Sequence, residues 1–306
     1  MIENLDAELL EQIAGFHDVP AGAYNIRKNS GSAGRRSTEH IEITNKEDKP
    51  GIDIRIADGT KNESVHIPVI ITEAGIEETV YNDFFVGDDC DVLIIAGCGI
   101  HNAGDKKSEH DGVHRFFIGK NSHVKYVERH YGAGEGTGER VMNPHTVVKV
   151  GENSVCEMEM VQIRGVDSTV RGMEAVLADN AKMIITERLM THGKQIARSD
   201  MRIDLNGENS SAQVVSRSVA RDDSEQVFNP NATGNNACAA HIQCDSIIMD
   251  NAKIRSIPEI AANHPDAKVI HEAAIGRINN DQLLKLESFG LSQNEAEEII
   301  IEGFLR

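Results

Sequence analysis

The chain contains no tryptophan, and aromatic residues make up only 4% of its 306 positions. A β-sandwich or an α/β enzyme usually fills its core with more rings. The shortage favours a repetitive fold packed with aliphatic side chains. Long apolar runs are missing too. The longest, residues 92–100, is far too short to span a bilayer. Positive charge is scarce: Lys+Arg 31 against Asp+Glu 49 leaves a net −18. Such a surface repels phosphate backbones, so neither nucleic acid nor an anionic membrane is an expected partner. No Walker A or dinucleotide fingerprint occurs, so any ATP dependence must come from a partner. Cysteine is sparse. Five residues (Cys90, Cys98, Cys156, Cys238, Cys244) without a dense framework fit reduced thiols in the cytoplasm. The start, MIENLDAELL, is acidic and does not read as a secretory leader.

A weak internal repeat is present. It reads GDDCDV at Gly87, GKNSHV at Gly119, GENSVC at Gly151, ADNAKM at Ala178, GENSSA at Gly207 and MDNAKI at Met249. The starts are 32, 32, 27, 29 and 42 residues apart. Each unit is a polar turn followed by a period-2 strand, as in HVKYV after Ser122 and VCEMEM after Ser154. Asn in the turn tolerates a left-handed backbone, and the small residue after it permits close stacking. Stacked coils of a β-solenoid are predicted, each burying its neighbour's apolar face. The uneven spacing leaves the number of strands per coil open. Ahead of the repeat, Leu5, Leu9, Leu10 and Ile13 share one helical face. A Gly/Ser/Lys/Arg loop over residues 28–36 and strands at 41–44, 52–56 and 65–72 follow, read together as a cap over one solenoid end.

Several residues could carry chemistry. Cys238 and Cys244 are six apart and share a face of a regular strand. Thiolates suit iron–sulfur clusters, but no ferredoxin spacing is present. Ile242 and Ile248 share the parity of Cys244, which fits a buried apolar thiol equally well. Cys90 sits where other repeats carry Ser or Ala, and Cys156 shares parity with Met158 and Met160, so both read as structural. His110 and His114 have a metal-like spacing for a helix. The strand-like HRFFIG that follows makes a solvated turn the better reading.

The C-terminal stretch, HEAAIGRINNDQLLKLESFGLSQNEAEEIIIEGFLR, predicts a helix–turn–helix over residues 281 to about 303. Leu283, Leu284 and Leu286 mark a first helix that Gly290 ends. Ser292 and Glu295 have capping-box spacing, followed by Ala296, Ile299 and Ile300. The wording HEA, GRI, DQL, a GLS turn, EA and a Gly-Phe ending resembles the SufB/SufD family of iron–sulfur cluster assembly proteins. QCDSIIMDNA (243–252), VIHEAAIGRI (269–278) and IAGCGIHNAG (95–104) resemble further segments of that family.

The resemblance implies an all-β core, a right-handed parallel β-helix, with a small N-terminal cap (1–80), a coil region (81–278) and a C-terminal helical pair (279–306). It implies a scaffold rather than an enzyme. Cys244, His271 and Glu272 become candidate ligands of a transient iron–sulfur cluster, with Cys98 as a sulfur acceptor; Cys238 lies outside the family pattern and is an additional candidate thiolate. Here Ala96 stands where the family often has Glu, and no Ala-Pro follows Cys98. The implied partners are a SufC-type ATPase docked on the C-terminal helices, a second copy in a two-plus-two complex, a sulfur donor and apo-protein acceptors. A carbohydrate-active β-helix enzyme or a purely structural interaction module are the other readings of a solenoid of this kind. The aromatic shortage argues against the first, because sugar platforms use rings.

Overall fold

The computed structural model describes residues 4–15 and 20–306. Two sheets face each other across one core, forming a parallel β-solenoid of about 8 turns. The first sheet holds β1 (Ala23–Lys28), β2 (Gly31–Arg36), β5 (Lys61–Ile71), β7 (Asp91–His101), β9 (His123–Ala133), β12 (Val155–Arg164), β14 (Lys182–Thr191), β16 (Ser211–Ala220), β18 (Ala239–Ile248) and β21 (Lys268–Gly276). The second holds β3 (Ile41–Asn45), β4 (Gly51–Ile56), β6 (Glu77–Val86), β8 (Ser108–Ile118), β10 (Arg140–Met142), β11 (His145–Val150), β13 (Ser168–Leu177), β15 (Ile196–Leu205), β17 (Glu225–Gly234), β19 (Lys253–Ser256) and β20 (Glu259–Ala262). From β5 onward the chain alternates between the sheets, with β10–β11 and β19–β20 each making one interrupted pass through the second sheet, so each coil is two passes and two corners.

Register shows why the turns repeat unevenly. Asp91 lies opposite His123, His123 opposite Val155, Val155 opposite Lys182, Lys182 opposite Ser211, and Ser211 opposite Ala239. The turns at 87, 119, 151, 178 and 207 therefore stack on one corner. The sixth, at Met249, lies on the opposite corner, where Asp222 donates its backbone N–H to Asp250. Its wider spacing reflects one and a half coils. The turn residues Asp89, Asn121, Asn153, Asn180 and Asn209 all have φ between 52° and 58°. Their side chains form a ladder in which each Asn amide donates to the residue one coil before, at 3.0–3.4 Å. The left-handed conformation and the ladder are met by one residue type, which is why Asn recurs.

Inward positions are largely aliphatic and fully buried. Most of the inward rings sit near the N-terminal end, where Phe84 stacks on Phe116 with centroids 4.4 Å apart, and Phe228 is buried in β17. The parallel ladder already runs through β4–β6 and β5–β7, so the boundary expected at residue 80 falls inside β6. Residues 28–36 are not a loop throughout. Asn29 and Ser30 make a tight turn with positive φ, and β2 returns antiparallel to β1. The β1–β2 and β3–β4 hairpins close that end of the core with Ala23, Ile41, Ile43 and Ile52. Helix α1 (Asn4–Ala14) lies instead on the outer face of the first sheet. An added Cβ on Gly97 would come within 2.9 Å of Ile13 Cβ, so that glycine is what admits the helix.

The C-terminal pair forms as α2 (Asn280–Glu287) and α3 (Gln293–Leu305), with the Ser292–Glu295 capping box made. The buried residues of α3 are Ala296, Ile301 and Leu305, packed near Val219 on the outer face of the first sheet. Of the expected apolar series Ala296 is buried, whereas Ile299 is 48% exposed. His110 and His114 also depart from expectation. They lie in β8, buried and inward, not in a solvated turn.

Candidate functional site

Strand β18 alternates, so Ala240, Ile242, Cys244 and Ser246 face the core while His241, Gln243 and Asp245 face out. Cys244 Sγ lies 3.4 Å from His271 Nε2 and 3.2 Å from Ser256 Oγ. His271 is on β21, the last strand of its sheet, one coil beyond Cys244. Burial pushes the Cys244 thiol up, with the Ser256 hydrogen bond opposing, and burial pushes the His271 pKa down. Both groups therefore rest neutral, a thiol beside an imidazole. A soft or borderline metal ion would displace the thiol proton and take both donors.

The other expected residues lie elsewhere. Glu272 follows His271 on a regular strand and so points to the opposite face, where it pairs with His241 at 3.1 Å. Cys238 is buried beside Gly234, six residues of strand rise from Cys244, about 20 Å. Cys98 is in the same sheet but five strand spacings away, about 24 Å. It is 2% exposed, and burial drives its pKa well above the usual thiol value, with Glu78 and Glu128 adding to the effect. Among the described residues, no three His, Cys, Asp or Glu side chains converge to hold a metal ion. Cys244 and His271 are the two expected residues that the fold brings into contact.

The core between Cys98 and Cys244 carries a polar stripe. Glu128 is fully buried against Arg171, which donates to it. Desolvation alone would raise the Glu128 pKa; the guanidinium overrides it and holds the carboxyl well below its usual range. Arg171 also lies 3.8 Å from Glu187, which accepts from Ser199 at 2.9 Å and Ser216 at 2.7 Å. Ser218 and Ser246 continue the stripe at 2.9 Å. Three cavities of ≈ 10 Å³ each, about one water in size, punctuate it. One touches Cys98 and Glu128, one Arg171 and Glu187, and one Glu187 and Cys244. Sequence reasoning missed these charges. The signal was parity: Glu128 follows Val124 and Tyr126 on the inward face of β9.

The last coil is open. Ile260 lies opposite the buried Ala232, and Ile275 opposite the buried Ser246, yet they are 48% and 41% exposed because no further coil stacks on them among the described residues. β21 has no strand on its outer edge among the described residues. No helix among the described residues is long and apolar enough to cross a membrane.

Fold and site together define a β-solenoid scaffold with a thiol–imidazole pair at an open terminal coil. Comparison with known proteins gives the family. The model of the SufBD core domain of the SUF system for iron–sulfur cluster assembly matches residues 82–304. That is well over half of the chain, which therefore belongs to the SufBD family and has a role in iron–sulfur cluster assembly. The chain is 28% identical over 243 residues to the iron-sulfur cluster assembly SufBD family protein MJ0034 of Methanocaldococcus jannaschii, covering 79% of this chain and 76% of that protein. It is 27% identical over 272 residues to a SufBD family protein of Archaeoglobus fulgidus, covering 87% and 71%. It is 26% identical over 284 residues to the SufBD family protein PH0883 of Pyrococcus horikoshii, covering 89% and 83%.

Proposed function

We propose that this chain is the scaffold on which a transient iron–sulfur cluster is built, anchored at Cys244 and His271 and completed by a second copy docked on the open last coil. The carrying observation is the Cys244–His271 contact at 3.4 Å in a coil whose inward face is left uncovered. Two donors are too few for a cluster, and an open solenoid end with a free strand edge favours pairing with another such edge. Glu272, exposed on the outer face, joins the site only if the partner copy or a shift of β21 brings it there. Cys238 stays a structural thiol in this reading.

Sulfur is accepted when the Cys98 thiol attacks the outer sulfur of a donor protein's persulfide. This forms the Cys98 persulfide and returns the donor cysteine as a thiol. A thiol reductant then releases the sulfur as hydrogen sulfide, leaving a disulfide on the reductant and the Cys98 thiol restored. The polar stripe leads the sulfide toward Cys244. Cys98 is closed off in the present conformation, so acceptance requires the coil around it to open. The energy comes from a SufC-type ATPase docked on α2 and α3, where Leu284, Phe289 and Ile299 remain exposed after α3 has packed. The finished cluster passes to apo-proteins.

Anaerobic reconstitution with the ATPase partner, read by absorption and Mössbauer spectra, tests the reading. The chain gains iron and sulfide together. Failure to gain either with the partner bound contradicts the scaffold role. Deleting residues 292–306 abolishes the complex in size-exclusion chromatography with light scattering and leaves the solenoid folded. A truncated chain that still forms the full complex removes the docking assignment.

A further inference from the structure

One stretch of the chain runs against the charge of the rest. Residues 19–38 hold Arg27, Lys28, Arg35 and Arg36 and no Asp or Glu, whereas the overall composition would place about three acids in a run of 20. The fold turns this stretch into the β1–β2 hairpin at the end of the first sheet. Two of the cations are neutralised within the chain: Arg27 pairs with Glu78 at 2.9 Å and Lys28 with Asp6 at 2.8 Å. Arg35 and Arg36 meet no carboxylate among the described residues. Arg35 donates to Asn25 at 2.9 Å and to Asn45 at 2.6 Å. Arg36 donates to the Gly22 carbonyl at 2.7 Å and lies 5.1 Å from the centre of the Tyr24 ring. Neutral partners orient the two guanidinium groups and leave their charge uncompensated. Burial, and after it Arg27, push the Arg35 pKa down, as expected of a cation set beside another.

The hairpin also leaves a strand edge free. β2 is terminal in its sheet, paired with β1 and, among the described residues, with nothing on its other side. Alternate backbone N–H and C=O groups of residues 31–36 therefore face outward. Side chains do not obstruct them: Gly31, Ser32 and Ala33 are small and exposed, and Gly34 is half-buried. The register shift between Ile26 and Arg27 leaves Ala33 without a counterpart on β1 and twists the edge, which limits pairing to a short segment. A strand laid there gains main-chain hydrogen bonds from β2 and charge-assisted ones from Arg35 and Arg36. The same charges repel a second β2 edge, so they select against self-pairing. Arg27, Val69 and Cys98 are neighbours in one row across the sheet. β2 thus lies three strand spacings, about 14 Å, from the strand of Cys98.

We infer that β2 is a docking strand for a short, acidic, extended segment of a partner protein. The segment's backbone continues the sheet beyond β2, and its carboxylates meet Arg35 and Arg36. Charge makes the choice of partner: a chain of net −18 keeps one acid-free edge, which an acidic strand can approach and a basic one cannot. Docking there brings the partner beside the sulfur entry of the proposed function, and the binding stands without that reading. The other free edge of the sheet, β21, is at its opposite end, so a second copy docked on the last coil leaves β2 accessible.

The test uses the full-length chain and a fluorescein-labelled octapeptide of alternating glutamate and threonine, followed by anisotropy at low and high salt. The wild type binds one peptide per chain saturably, and binding weakens as salt rises. The same peptide with lysine in place of glutamate does not bind. A version N-methylated at every residue keeps its charges but cannot donate to the edge, and it binds at least about 10-fold more weakly. Ser32→Glu puts an acid on the edge, touches none of the side-chain bonds that hold the hairpin, and weakens binding about 5-fold, the upper worth of one exposed ion pair. Hydrogen exchange locates the peptide: amides of residues 31–36 gain protection and those of β21 do not. Absence of saturable binding overturns the inference. Undiminished binding of the N-methylated peptide means attraction by charge without strand addition and overturns it too. Binding indifferent to Ser32→Glu, or protection at β21 in place of β2, puts the peptide elsewhere and does the same. Dimers of the chain that Ser32→Glu dissolves mean that a second copy occupies this edge, contrary to the inference.

Discussion

Cys98 and Cys244 face the same core from the same sheet, yet their surroundings are opposite. Cys98 lies among charges: Glu78, Glu128 and Arg171 are buried nearby, and α1 closes the outer face behind it. Cys244 lies among neutral groups, Ser256 and His271, in a coil whose far side is open. A solenoid makes this contrast possible because each coil depends mainly on its immediate neighbours. The interior of one coil can be ionic while another, about 24 Å along, is neutral, its thiol equally buried but in contact with the half-buried His271 of the last coil. The difference is one of charge and of distance from the end of the solenoid.

Breaking the sealed region has the largest expected effect. Arg171→Met leaves Glu128 and Glu187 buried without their cation and costs about 4 kcal/mol of unfolding free energy in urea. The same change in charge at an exposed pair, Lys253→Met beside Glu225, leaves the urea midpoint essentially where it is in the wild type. A comparable loss in both would mean that the core charges are hydrated. Next is the outer packing of the open region. Ile301→Ala removes a buried contact of α3 and costs about 3 kcal/mol. Because α3 is peripheral, hydrogen exchange shows the loss in α2 and α3 while the β7–β9 amides stay protected.

Acid sharpens the comparison. His114, and likewise His66, have folded pKa values pushed down to about 4 by burial, below the unfolded value near 6.5. The unfolded chain therefore binds more protons between these values. The stabilisation is complete above about pH 6.5 and is lost as pH falls toward 4. His114→Gln reduces that loss by up to about 3 kcal/mol, measured as the difference in denaturation midpoints between pH 7 and pH 5 and below. A His114→Gln profile parallel to the wild type would mean that the ring is already charged when folded. The smallest effect is at the corners. Asn153→Ala keeps φ near 57° without the ladder amide and costs about 1 kcal/mol. Asn153→Gly relieves the conformation and costs a few tenths more or less than that, by thermal melts.

Much of the scaffold was legible because its corners are written in residues with few alternatives. Asn at positive φ followed by a small residue marks four of the five stacked turns on one corner, and Asp89 with Cys90 marks the first. The sixth turn misled only in assuming a single corner. The site was legible in part. Cys244 and His271 came from resemblance, and the fold brings them into contact. Glu272 could have been set aside on strand period alone, since consecutive residues cannot face one side. The ionic interior was hidden for a physical reason: Glu128 is acceptable in a core only with Arg171, 43 residues later and on the other sheet. Periodicity reports which way a side chain points, not what it will meet.

The central claim is that the open coil, not the sealed one, holds the cluster. The direct measurement is iron and sulfide content after anaerobic reconstitution of Cys244→Ser beside Cys238→Ser, each checked for unchanged stability. The account predicts that Cys244→Ser loses the cluster while Cys238→Ser keeps it. Full cluster content in Cys244→Ser at wild-type stability would contradict it.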